Sequence, residues 1–166
     1  CLLSIPASSA KMMAKGVTTA ADAVFFDLED SVAPNAKAEA RALAVEALKA
    51  HDWKGAGKSV SIRVNALDTV WTYQDIIAVI EGAGEHIDTI ILPKVGRRED
   101  IYAVDALITQ LCRARGQKNL ITIEGLIESA SGVVNLADIT GYNQFIGSLR
   151  LEALHFGAGD YAASVR

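Results

Sequence analysis

Charged side chains in this sequence gather where apolar runs end. Asp27, Glu29 and Asp30 close the run that begins at Ala23, and Arg63 and Asn65 close the run that begins at Ser59. Pro93 and Lys94 stand at the end of the next, Glu128 at the end of the one after, and Asp160 just past the last. One acidic run end is ordinarily a helix cap or a surface loop; recurrence on several runs points to a shared site. The set is rich in carboxylates, holds one or two cations and lacks a nucleophile assembly. Two oxygen donors, Glu128 and Asp160, suit Mg2+, which takes few protein carboxylates and keeps positions for water and substrate. A cation held there can chelate a 2-keto acid and stabilise an enolate-like oxygen. Arg63 offers its planar fork to the keto acid's carboxylate.

Other chemistries are missing. No Gly-x-Ser-x-Gly elbow is present, and no Gly-x-Gly-x-x-Gly follows an apolar run. His51, His86 and His155 lack metal-ligand spacing, and the first two fall in solvated positions. Phe156-Gly-Ala-Gly-Asp160 is glycine-rich but too short for a phosphate-cradling loop. Cys1 and Cys112, almost a chain length apart, read as free thiols, with Cys112 in the core.

The elements that must position these residues follow from periodicity. Apolar, β-branched runs cover residues 2–6, 23–30, 59–65, 89–95, 120–128 and 153–157, and helical patterns cover 10–16, 34–50, 72–82, 99–116 and 132–139. Alternation of strand and helix is the mark of parallel βαβ units. Pro34 suits a first helical turn, and Gly82 and Gly116 are placed to end helices. Lys37 and Arg41 are expected on one helix face, with Leu43, Ala47 and Leu48 opposite. Along the strands, Val60, Ile62 and Val64 share a face, as do Ile121, Ile123, Gly125 and Ile127. Ser61, Arg63 and Asn65, like Glu124 and Glu128, occupy the opposite face. Substrates of α/β folds bind at the C-terminal strand ends, where the charged residues fall.

Six strands fall short of the eight, in about 250 residues, that close a (β/α)8 barrel. The fold is therefore α/β, either an open sheet or a barrel cut short. The 166 residues read as a single domain without linker or repeat, 51% hydrophobic and with a mean hydropathy of +0.23. No apolar run approaches the roughly 20 residues of a membrane span, and Lys11 and Lys15 follow the first apolar run, unlike a signal peptide. A cytoplasmic protein is expected. Basic residues are scattered and the net charge is -4, which argues against a nucleic-acid partner. A first residue that is Cys is read as the start of a segment of a longer chain.

Phe26-Asp-Leu-Glu-Asp-Ser-Val32 with Ala33-Pro34, Lys37 and Ala40-Arg41 resembles the citrate lyase β-subunit and malyl-CoA lyase family. Arg63-Val-Asn65, Leu92-Pro-Lys-Val95, Ile127-Glu-Ser-Ala-Ser-Gly132 with Asn135, and Glu152 to Asp160 continue the resemblance in the family's order over essentially the whole chain. The stretch from Asn65 to Trp71 and that from Glu152 to Ser164 look closer to the malyl-CoA and methylmalyl-CoA lyases.

The resemblance implies a (β/α)8 barrel, of which residues 1–166 supply about six βα units, lacking the last ones. It implies reversible cleavage of a 3-hydroxyacyl-CoA to an acyl-CoA and a 2-keto acid, with Mg2+ as cofactor and a homotrimer or homohexamer as assembly. By position Glu128 and Asp160 are its metal ligands and Arg63 its keto-acid clamp. Glu29 and Asp30 sit near the metal's waters and Arg63, and Lys15 lies near the CoA. In two places the chain departs from the family. Ala7-Ser8-Ser9 replaces a Gly-Ser-Arg, so an arginine that touches CoA is missing, and the C-terminal segment that lends an acidic residue to a neighbouring subunit lies outside these residues. Other readings are a malyl-CoA thioesterase, a citryl-CoA lyase, a metal-dependent aldolase on free hydroxy-keto acids, and a non-catalytic paralogue. The aldolase would need a His base near the second or third strand, where none occurs.

Overall fold

The computed structural model describes all of residues 1–166. Its strands are β1 (Leu2–Pro6), β2 (Ala23–Asp27), β3 (Ser59–Arg63), β4 (Thr89–Leu92), β5 (Thr122–Ile127) and β6 (Leu151–Phe156). The helices are α1 (Ala10–Gly16), α2 (Lys37–Ala50), α3 (Thr72–Ala83), α4 (Arg98–Ala114), α5 (Ala130–Val134), α6 (Leu136–Thr140), α7 (Tyr142–Ile146) and α8 (Ala158–Ser164). All adjacent strands pair in parallel, in the order β1-β2-β3-β4-β5-β6.

An order with no reversal decides the layering. Right-handed crossovers that always step the same way leave every helix on one face, whereas a doubly wound sheet reverses at a switch point. Accordingly α1 packs on α2, α2 on α3, α3 on α4, and α4 on α6. Phe26, Val60, Ile62, Ile90, Leu92 and Ile123 point from the strands into this layer and meet Ala44, Leu48, Ile76, Ile80, Val104 and Ile108 in one contiguous buried cluster. Each Val, Leu, Ile or Phe side chain among them contributes about 1.5–3 kcal/mol by leaving water. The opposite face carries Phe25, Arg63, Ile91, Glu124, Leu126 and His155, as the interior of a (β/α)8-type barrel does.

Local chemistry sets the helix starts. Ser9 accepts from the Met12 N–H at the start of α1 (3.3 Å), Ser129 from the Gly132 N–H at that of α5 (3.1 Å), and Asp100 from the N–H groups of Gly96 and Arg97 before α4. Pro34 opens a short 3-10 turn ahead of α2. No helix is long and apolar enough to cross a membrane.

Several expectations are corrected. Lys37 lies on the buried face of α2 with Ala40, Ala44, Ala47 and Leu48, because steps of 100° bring Leu48 between Lys37 and Arg41. Gly116 does follow α4 with φ of 63°, but Gly82 is inside α3. A Cβ on Gly82 would lie 2.6 Å from Val45 Cγ1, so this glycine serves the close approach of α3 to α2. The helical pattern at 132–139 is divided between two short helices, α5 and α6, and β6 starts at Leu151 with a bulge against Ile123 and Glu124.

Candidate active site at the C-terminal ends of the strands

Asp27 ends β2 directly opposite Arg63 at the end of β3. Both side chains point to the barrel face, and register makes them meet: Arg63 Nε donates to Asp27 Oδ1 and Nη2 to Oδ2, each at 2.8 Å. The same carboxylate accepts from the N–H groups of Glu29 (2.8 Å) and Ser31 (3.1 Å), so it organises the loop that follows. Burial alone would raise the Asp27 pKa, but the hydrogen bonds from Arg63 and Ser31 outweigh it and hold the carboxyl below its ordinary value. Arg63 is held above its own ordinary value: burial opposes its charge, and the bonds to Asp27 with the charges of Glu29 and Asp30 prevail.

The carbonyls of this loop are held from behind. Buried Lys37 donates from Nζ to Leu28 O (2.7 Å) and Glu29 O (2.6 Å). Asn65 Nδ2 also reaches Leu28 O (3.0 Å) and bonds Asp75, which Arg41 pairs at 3.0 Å. Asn65 thus braces the loop instead of lining the mouth. With N–H groups tied to Asp27 and C=O groups to Lys37, the loop presents Glu29 in one orientation.

Glu29 is a buried carboxyl set among charges of both signs. Its side chain is only 6% exposed, with Arg63 Nη1 at 3.2 Å from Oε2 and Lys94 Nζ at 3.4 Å from Oε1. Neither oxygen completes a hydrogen bond, since the angles fail where the distances suffice. Burial, with the charges of Asp30 and Glu128, pushes its carboxyl up to about 7 against the pull of Arg63 and Lys94. Asp30 is exposed, and its Oδ2 stands 3.9 Å from Arg63 Nη1.

Across the mouth, Glu128 follows β5 and accepts at Oε2 from the Lys94 N–H (3.1 Å). A Cβ on Gly157 would lie 2.5 Å from its Cγ and Oε1, so the space its carboxylate occupies exists because residue 157 has no side chain. Asp160 lies in the first turn of α8. Burial and the charge of Asp160 raise the Glu128 pKa despite the Lys94 amide. A carboxylate pair that suffers from mutual charge and keeps free oxygens fits a hard divalent cation, and two carboxylates match the small share of ligands Mg2+ takes from protein. No group of three His, Cys, Asp or Glu side chains converges to form a complete cage.

The fold therefore brings together Arg63, Glu29, Asp30, Glu128 and, beside them, Asp160, which contributes to the fields at both Glu128 and Lys94. Lys15 stands apart, exposed in the last turn of α1, which runs back from the strand ends. Asp27 and Lys94, strand-end charges in the sequence with no role assigned there, take part in the site, and Lys37 is a further residue of it. Asp27 was open to detection from strand register, since two inward residues on neighbouring strands with opposite charge are natural partners. The contacts of Lys37 and Lys94 depend on loop geometry that periodicity does not reach. Below the mouth, His155 Nε2 meets Glu124 Oε2 at 2.6 Å, and a recess of about 90 Å³ is lined by Phe25, Arg63, Ile91, Leu126 and His155. A larger cleft, about 440 Å³, opens at the other end of the sheet around Gly84, Arg115 and Asn119, away from all of these groups.

A singly wound parallel sheet with its charges at the C-terminal strand ends defines a barrel-type α/β protein. Residues 1–166 match throughout the family described as HpcH/HpaI aldolase/citrate lyase, and the chain belongs to it. It is 43% identical over 165 residues to the L-malyl-CoA/beta-methylmalyl-CoA lyase of Cereibacter sphaeroides, covering 99% of this chain and 50% of that protein. Identity to the (3S)-malyl-CoA thioesterase of the same species is 36% over 146 residues, covering 88% and 46%. The magnesium/glyoxylate complex of Haloferax volcanii malate synthase superposes with a TM-score of 0.83 at 22% identity, covering 99% and 53%, a likeness of fold. The chain spans about half the length of the curated relatives it matches.

Proposed function

We propose that the protein is a Mg2+-dependent carbon–carbon lyase, cleaving malyl-CoA or a methyl-substituted malyl-CoA reversibly to an acyl-CoA and glyoxylate or a related 2-keto acid. The observation that carries this reading is Arg63, fixed by Asp27 and close enough to Glu128 for the two charges to interact. Glu128 and Asp160 would hold the cation, which when bound supplies Lewis-acid polarisation of the keto-acid carbonyl and stabilises its developing oxyanion.

The chain's own groups do the rest. Asp27 occupies Nε and one N–H of Nη2, so Arg63 still offers Nη1 and the other Nη2 hydrogen to a carboxylate. Because Asp27 pre-sets the guanidinium plane, little rotamer freedom is lost when the keto acid binds. Glu29 and Asp30 balance the Arg63 charge and offer acceptors to water in the mouth. Lys15 supplies a cation to the CoA phosphates. The closer similarity to a lyase than to a thioesterase supports carbon–carbon cleavage, and we place the activity in a cytoplasmic homotrimer or homohexamer.

The test is a panel of malyl-CoA, methylmalyl-CoA, citramalyl-CoA and citryl-CoA with Mg2+, following keto acid and free CoA separately. Keto acid released with acyl-CoA is expected. Free CoA without keto acid would assign a thioesterase, and full Mg2+-dependent activity in Glu128→Ala would end the scheme.

A further inference from the structure

We propose that Lys94 is a positioning residue that sets the separation of two carboxylates, holding Glu128 through its backbone N–H and Glu29 through its ammonium. Lys94 has φ of 55°, the one residue other than glycine in the left-handed region. Sterics disfavour that region for side chains with a Cβ, and lysine lacks the short polar group by which Asn or Asp settles there. Its surroundings therefore hold it.

The ladder shows how. Leu92 is the last residue of β4 in register with β5, opposite Gly125, and Val95 rejoins the pairing by donating to Leu126 O at 3.0 Å. Between them, Pro93 has no N–H, and the Lys94 N–H leaves the ladder for Glu128 Oε2 at 3.1 Å. The left-handed turn that frees this N–H also sends the side chain towards β2, where Nζ stands 3.4 Å from Glu29 Oε1. A glycine would satisfy the backbone alone. The ammonium, at the tip of a side chain 43% exposed, is what accounts for lysine. Lys94 thus ties the acid on the β2 side to the acid on the β5 side, and neither contact requires it to touch substrate.

The assignment rests on the cation and lyase readings above, and two readouts separate it from them. Mg2+ is titrated calorimetrically, without substrate, into the full-length protein and its Lys94→Gly, Lys94→Ala and Lys94→Arg variants, and keto-acid release is measured on each. Lys94→Gly keeps the turn and the N–H, so Mg2+ affinity and thermal midpoint should stay at wild-type values while kcat falls about tenfold, the scale of one lost charged contact. Lys94→Ala loses both the ammonium and the anchor for a left-handed backbone, so its Mg2+ affinity should fall about fivefold below that of Lys94→Gly. Lys94→Arg should recover most of kcat. Wild-type kcat in Lys94→Gly, or equal Mg2+ affinity in the glycine and alanine variants, overturns the proposal. Should the wild-type protein release no keto acid from any ester, the lyase reading falls while the glycine–alanine comparison still decides the role of Lys94.

Discussion

At the scale of single residues, the site contrasts two buried acids with opposite responses to protons. Asp27 is held below its ordinary value, so the stability it contributes is present above the unfolded carboxyl's pKa and is lost as pH falls through the lower, folded one. Glu29 behaves in reverse. An unfolded glutamate releases its proton near 4.5 and the folded one near 7, so the native state binds more protons between these values. Stability of the metal-free protein should therefore decline from pH 4.5 to 7, by about 3 kcal/mol from this group at 1.36 kcal/mol per pKa unit. Denaturant titrations across that window should show the decline in wild type and its removal in Glu29→Gln; an equal slope in both would refute it. Asp27→Asn leaves one oxygen to serve two Arg63 donors and should raise the keto-acid KM at least about tenfold, from loss of one charged contact. In steady-state kinetics, Lys15→Ala should raise the KM for the CoA ester and leave that for the free keto acid unchanged. Arg63 and Glu128 were legible in sequence because strand alternation sets them opposite the apolar face close to a strand end, and Glu29 because it closes its apolar run. Lys94 was visible as a charged strand end, but its left-handed backbone has no periodic signature.

At the scale of elements, β6 is held by an ionic clasp remote from the mouth. Arg150 Nε pairs with Asp105 of α4 at 2.7 Å, Tyr142 donates to the same carboxylate at 2.7 Å, and Arg150 also bonds Ile121 O and Thr109. Asn143 accepts from the N–H groups of Arg150 and Leu151, completing the entry to β6. Asp105→Ala would strand the Arg150 charge and the buried phenol of Tyr142, a loss of about 3 kcal/mol by analogy with broken buried pairs. Thermal or chemical denaturation measures it, and a change below 1 kcal/mol would show the clasp to be dispensable. The bulge at Glu152 shifts β6 so that its side chain reaches Thr122 while Ala153 pairs with Glu124. Sequence periodicity located this strand two residues late, because a bulge breaks the alternation by which strands are found. It misassigned Gly82 for a related reason: helix ends and tight helix crossings both call for glycine, and only packing against Val45 tells them apart.

For the whole molecule, the apolar composition is explained by a sheet covered on one face by helices, and the modest net charge conceals acids concentrated at one end. β1 and β6 have no partners on their outer sides, and Leu2, Leu3 and Phe156 are exposed along them. Residues 1–166 produced alone should therefore associate as concentration rises, a process sedimentation velocity would follow. The strand order has a further consequence, for the sequence of assembly. Each strand pairs only with its neighbours in the chain, so the sheet can lengthen from its N-terminal end as the polypeptide leaves the ribosome. Asp27 and Arg63 come together once β3 has docked, Glu128 joins with β5, and Asp160 arrives only after β6. On that order the Asp27–Arg63 pair is complete while Glu128 still waits for Asp160.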